Sequence, residues 1–181
     1  AAGLAVVGTH VLVVDMAARL LVVDVSDPAD PTVVGSVDAA GSAQGVAVTG
    51  HYALMAAGYF GIQVIDITDL SDPQLAQTIE VPGFARGVTI SGAYAYVSAG
   101  DSGLQVLDIT DPPAAQVVGA LDTPGHARRA LLAGAFAYVA DSDSGLVVAD
   151  ITDPRSPVLV EVVPMPGSAQ DVALSSYYLY V

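Results

Sequence analysis

LQVLDITDP, residues Leu104–Pro112, decides how this chain is read. A short apolar run around one Gln ends in an Asp, and Thr, Asp and Pro follow as a turn signal. The stretch recurs as LLVVDVSDP (Leu20–Pro28), IQVIDITDL (Ile62–Leu70) and LVVADITDP (Leu146–Pro154). The Asp closing each run falls at Asp24, Asp66, Asp108 and Asp150, a constant step of 42 residues. Gly41, Gly83, Gly125 and Gly167 keep the same step, as do Gly8, Gly50, Gly92 and Gly134. A period held without insertion marks an array of one supersecondary unit. The units are 1–41, 42–83, 84–125 and 126–167, and 168–181 opens a fifth that stops part-way.

Working outward, each unit holds four apolar runs separated by turn residues. In the second unit they are Val46–Thr49, Tyr52–Ala57, Ile62–Ile67 and Leu75–Val81. Val, Ile, Tyr and Thr dominate them, and each is too short for a helix. Most runs are apolar on both faces, so each sheet must be covered on both sides. Four such strands per unit predict an all-β fold, a β-propeller of four four-stranded blades plus two strands of a fifth. Those two strands are expected at Val172–Leu174 and Tyr178–Val181.

The unit's third run resembles the LVIVD repeat family, and the resemblance covers the whole chain. That family implies a propeller, found largely in bacterial and archaeal cell-surface or secreted proteins, with no single activity. The first unit departs at Met16–Arg19, where the others carry a turn ending in Gly.

Composition narrows the functional classes. Hydrophobic residues make up 53% of the 181 and charged residues 13%. Mean hydropathy is +0.59. The longest uncharged apolar run, Ala130–Ala140, is too short for a spanning helix, which needs roughly 20 residues. The formal charge is −14, carried against five Arg and no Lys, which gives no basic face for nucleic acid. Cys is absent, removing disulfides, thiolate metal sites and Cys nucleophiles. No signal peptide stands in this segment, and the chain opens at Ala1 rather than Met.

Several candidate sites follow. Asp24, Asp66, Asp108 and Asp150, each with Ser or Thr two residues on, are read as turn formers through side-chain-to-backbone hydrogen bonds. Gly100-Asp101-Ser102-Gly103 spells the nucleophile motif of chymotrypsin-like proteases. Its repeat counterparts are turns, and His10, His51 and His126 lie at unrelated repeat positions, so no catalytic residue is assigned. Asp141 and Asp143 resemble the opening of a calcium loop. The acid required at the twelfth position is Thr152, so calcium stays a weak candidate and no other cofactor is expected.

Gln44, Arg86, Arg128 and Gln170 recur at the entry to each unit's first strand. First strands line a propeller's channel, so these four are the candidate ligand-facing residues. Four of the five Arg (Arg19, Arg86, Arg128 and Arg129) fall in the loops of this one face. The expectation is a non-catalytic binding, adhesion or scaffolding module, extracellular or on the cell surface, taking a protein or carbohydrate ligand. The alternative is part of a hydrolase-like propeller enzyme, with its site in the channel mouth or in blades elsewhere. A ring of six to eight blades is expected, completed by further blades of the same chain or by a second copy.

Overall fold

The computed structural model describes residues 2–15, 17, 19–176 and 178–181. The departure read at Met16–Arg19 includes Met16 and Ala18, which lie outside the described residues.

The chain is all-β. The first sheet comprises β1 (Gly3–Val7), β2 (His10–Val14), β3 (Arg19–Asp24) and β4 (Thr32–Asp38). The second comprises β5 (Gly45–Thr49), β6 (Tyr52–Ala56), β7 (Ile62–Asp66) and β8 (Gln74–Ile79). The third comprises β9 (Gly87–Ser91), β10 (Tyr94–Ser98), β11 (Leu104–Asp108) and β12 (Gln116–Leu121). The fourth comprises β13 (Arg129–Ala133), β14 (Phe136–Ala140), β15 (Leu146–Asp150) and β16 (Val158–Val163). A hairpin of β17 (Ala173–Ser175) and β18 (Tyr178–Tyr180) follows. Every sheet is an antiparallel meander in chain order, so the apolar runs of the repeat and the observed strands coincide to within a residue or two.

Each four-stranded sheet carries the same irregularity. Register slips between Val22 and Val23, Val64 and Ile65, Val106 and Leu107, and Val148 and Ala149. The extra residue on the outermost strand is Val34, Ala76, Val118 or Val160. A bulge of this kind increases local twist, and its place in every unit gives the sheets a common curvature.

The sheets stack face to face as propeller-like blades. β1 packs on β5, β5 on β9, and β9 on β13. Among the described residues no comparable packing joins β13 to β1, so the stack is an open arc. Between the first two sheets Leu12, Val14, Leu20 and Val22 meet Ala53, Met55 and Ile65, all fully buried. Leu54, Ile62 and Val64 meet Ala95, Val97 and Leu107 at the next junction. Each such Leu, Val, Ile or Met side chain stabilises the stack by about 1.5–3 kcal/mol, and each Ala by less. This double-sided burial is why the runs lack polar alternation. Among the described residues no helix is long and apolar enough to cross a membrane.

Candidate functional site

The loops of one face are positioned by a backbone clip between neighbouring sheets. Gly58 and Ala85 exchange two N–H···O hydrogen bonds of 3.1 and 3.0 Å. Gly100 and Ala127 do the same at 3.1 and 3.0 Å, and Ser142 and Ala169 at 3.1 and 2.9 Å. The clip holds the turn after one sheet's second strand against the connector leading into the next sheet. Gly58, Gly100 and Ser142 all sit in the left-handed region, at φ of 64°, 60° and 52°. That conformation is easy for Gly and uncommon for Ser.

Arg86, Arg128 and Gln170 each follow a clipped alanine, and Gln44 follows Ala43 at the same repeat position. Their partners differ. Gln44 Nε2 donates to Ser42 Oγ at 2.7 Å, and Gln170 Nε2 donates to Ser168 Oγ at 2.8 Å. Arg128 Nε donates to Ser142 Oγ at 2.7 Å, and that hydroxyl donates onward to the carbonyl of His126 at 3.1 Å. Arg86 has no such acceptor, because the residue matching Ser142 is Gly100. Its guanidinium carbon instead lies 4.8 Å from the centroid of the Phe84 ring. Its Nε is buried and finds no hydrogen-bond partner among the described residues.

Around Arg86 is a cleft of 230 Å³ lined by Tyr59, Gly83, Phe84, Gly100 and Asp101. Tyr59 meets Phe84 edge to face, with ring centroids 4.9 Å apart. Tyr59 remains 83% exposed and Phe60 52%. A second cleft of 400 Å³ shares Tyr59 and is otherwise lined by Phe60, Thr78, Glu80 and Val81. Asp101 pairs with the imidazole of His126, and Arg129 Nε pairs with Asp171 at 3.2 Å. Reading the sequence for repeats did not select Tyr59 or Phe84. The signal was available: Phe84 opens its unit where Ser42, His126 and Ser168 open the others.

Asp141 is fully buried beneath the same face, whereas Asp143 is exposed. Asp141 Oδ1 accepts from Thr123 Oγ1 and Oδ2 from the amide of Gly125, both at 2.7 Å. Burial pushes its carboxyl above the ordinary range, against the pull of those two donors. Among the described residues no three His, Asp or Glu side chains are grouped to hold a metal ion.

At the opposite end the repeated Asp residues shape the turns. The amides of Ser26, Thr68, Thr110 and Thr152 donate to Oδ1 of Asp24, Asp66, Asp108 and Asp150 at 2.8, 2.8, 3.0 and 2.8 Å. Hydroxyl and amide donors hold the last three carboxyls below their usual range, and the Ser26 amide then its hydroxyl do so for Asp24.

The family model of the LVIVD repeat matches residues 1–39, 40–81, 82–123, 124–164 and 166–181. No curated protein matches the chain. Among solved structures, the computationally designed Ika8 protein is similar at a TM-score of 0.77 and 13% identity, covering 97% of this chain and 53% of that one. A functionally unknown protein from Desulfotomaculum acetoxidans is similar at 0.72 and 17%, covering 95% and 58%. The chain therefore spans little more than half the length of these structures, and at such identities the likeness is one of fold. With five successive matches across its length, the chain belongs to the LVIVD repeat family.

Proposed function

We propose that this chain is a non-catalytic binding module whose ligand sits on the face carrying the blade connectors. The observation that supports it most is the cleft beside Arg86. There, a guanidinium without a hydrogen-bond acceptor among the described residues, the exposed ring of Tyr59 and the half-buried ring of Phe84 interrupt an otherwise regular repeat. Loops on a rigid scaffold are where binding residues concentrate. An acidic chain that displays such a surface suits a place outside the cell, on the surface or secreted, as the resemblance implied.

The arc is proposed to be part of a larger ring completed by further LVIVD blades. On the outward face of β1, Leu4 is 63% and Val6 71% exposed. The matching Val46 and Val48 pack into the core between the first two sheets. A face built to be covered in one copy and open in another is suited to the same kind of neighbour.

The test is an array of surface glycans and peptides probed with the purified chain, followed by mass spectrometry of the retained members. Saturable retention of at least one member, chemically unaltered, is the expected result. Conversion of a retained member overturns the non-catalytic reading, and retention of none overturns the binding reading.

A further inference from the structure

We propose that the cleft around Arg86 takes the carboxylate of an acidic sugar, a uronate residue within a saccharide; this rests on the binding reading above and names its ligand class. Of the four equivalent polar side chains, only Arg86 lacks a hydrogen-bond acceptor among the described residues. The cause is one atom group. Ser142 supplies a hydroxyl to Arg128, and Gly100, in the same turn conformation, supplies none. Asp101, the acid lining the cleft, turns to His126 and makes no ion pair with Arg86 among the described residues, so the guanidinium charge is unmatched there. A guanidinium fork held over Phe84 is therefore a ready partner for a carboxylate, the anion whose two oxygens match its geometry.

The remainder of the site favours a sugar over a peptide end. The exposed Tyr59 lines both the Arg86 cleft and a second cleft that presents Thr78 and Glu80. Hydroxyl and carboxylate groups there accept and donate to sugar hydroxyls, and Glu80 would repel a second acid. The face of Tyr59 is a stacking platform for a pyranose ring between them. The two spaces, 230 and 400 Å³, suit small rings rather than a folded segment. A net charge of −14 disfavours densely charged polyanions. The fit is to one acidic residue beside a neutral one.

Glucuronate, its neutral counterpart glucose, acetate and a short peptide with a free C-terminus are titrated by NMR into the chain and three variants. Glucuronate is expected to shift the Arg86 Nε–H and the Tyr59 and Phe84 ring signals, while glucose and acetate bind about tenfold more weakly or not at all. Arg86→Gln should weaken glucuronate at least about tenfold. Arg128→Gln should leave it unchanged. Gly100→Ser is the sharper variant, because a Cβ there meets Phe84 and Arg86 only at 3.6–3.7 Å and Ser142 already tolerates the backbone. It should give Arg86 an internal acceptor and weaken glucuronate, with no greater loss of melting temperature than Gly92→Ala, which carries the same left-handed strain at φ +57°. No shift with glucuronate, an equal response to acetate, or preferred binding of the peptide overturns the sugar-acid assignment. Array binding unaffected by Arg86→Gln would overturn this site while leaving the binding module intact.

Discussion

Thr123 and Asp141, 18 residues apart in sequence, meet side chain to side chain in the interior at 2.7 Å. The pair replaces Val81 with Ala99 and Ala39 with Ala57 at matching positions of other units. It fastens the connector into the fourth blade to the turn after β14, and Gly125 adds its amide. Where the matching junctions of the first and second units are apolar, this one is therefore polar.

Asp141 gives the protein a pH signature. Its folded-state carboxyl titrates above its unfolded value because burial disfavours the charge. The folded state then binds the proton more tightly, so stability rises as pH falls from above that raised value toward the ordinary carboxylate range. Asn at this position can accept from Gly125 and donate to Thr123. Thermal melts of Asp141→Asn across the acidic range should lack this rise. Superimposable pH profiles for variant and wild type would remove Asp141 as the source.

The turn carboxylates act in the opposite sense. Asp24, Asp66, Asp108 and Asp150 titrate below their unfolded values, so their contribution is present above the ordinary carboxylate range and lost as pH falls through the depressed values. Asp66→Ala should lower the melting temperature at neutral pH and flatten acid unfolding at the low end. Asp66→Asn keeps the acceptor for the Thr68 amide, so it should hold most of the neutral-pH melting temperature while also flattening the acid limb. Equal losses in the two variants would show that the hydrogen bond is not the cause.

Two glycines of similar backbone conformation should respond differently to alanine. At Gly83, φ is +84° and an added Cβ would stand 2.2 Å from the carbonyl oxygen of Ala99. At Gly92, φ is +57° and the space is empty. Gly92→Ala is expected to cost about 1–2 kcal/mol, the left-handed penalty alone. Gly83→Ala should cost more, because backbone must also move. Chemical denaturation of both variants measures the gap, and equal costs would contradict the close approach.

The exposed apolar face of the first sheet should govern self-association. Val6→Glu is expected to leave the fold intact and shift sedimentation toward monomer. The same change at the matching Val48 should lower stability markedly, because its side chain packs between two sheets. Unchanged association in Val6→Glu would show that this face is not the contact.

The amino-acid sequence alone determined the strands, their order and the sites of the turns. Apolar runs of four to seven residues, punctuated by Gly and Asp every 42 residues, admit one local structure, and local structure depends on neighbours along the chain. The equivalence of Gln44, Arg86, Arg128 and Gln170 was legible for the same reason. Tertiary structure alone decided which of the four goes without an acceptor, since Ser142, which serves Arg128, lies on a separate turn whose counterpart beside Arg86 is Gly100. It also turned Asp141, whose spacing suggested a calcium loop, toward Thr123. Partners brought together across a blade junction are chosen by packing, and a one-dimensional pattern carries no record of that choice.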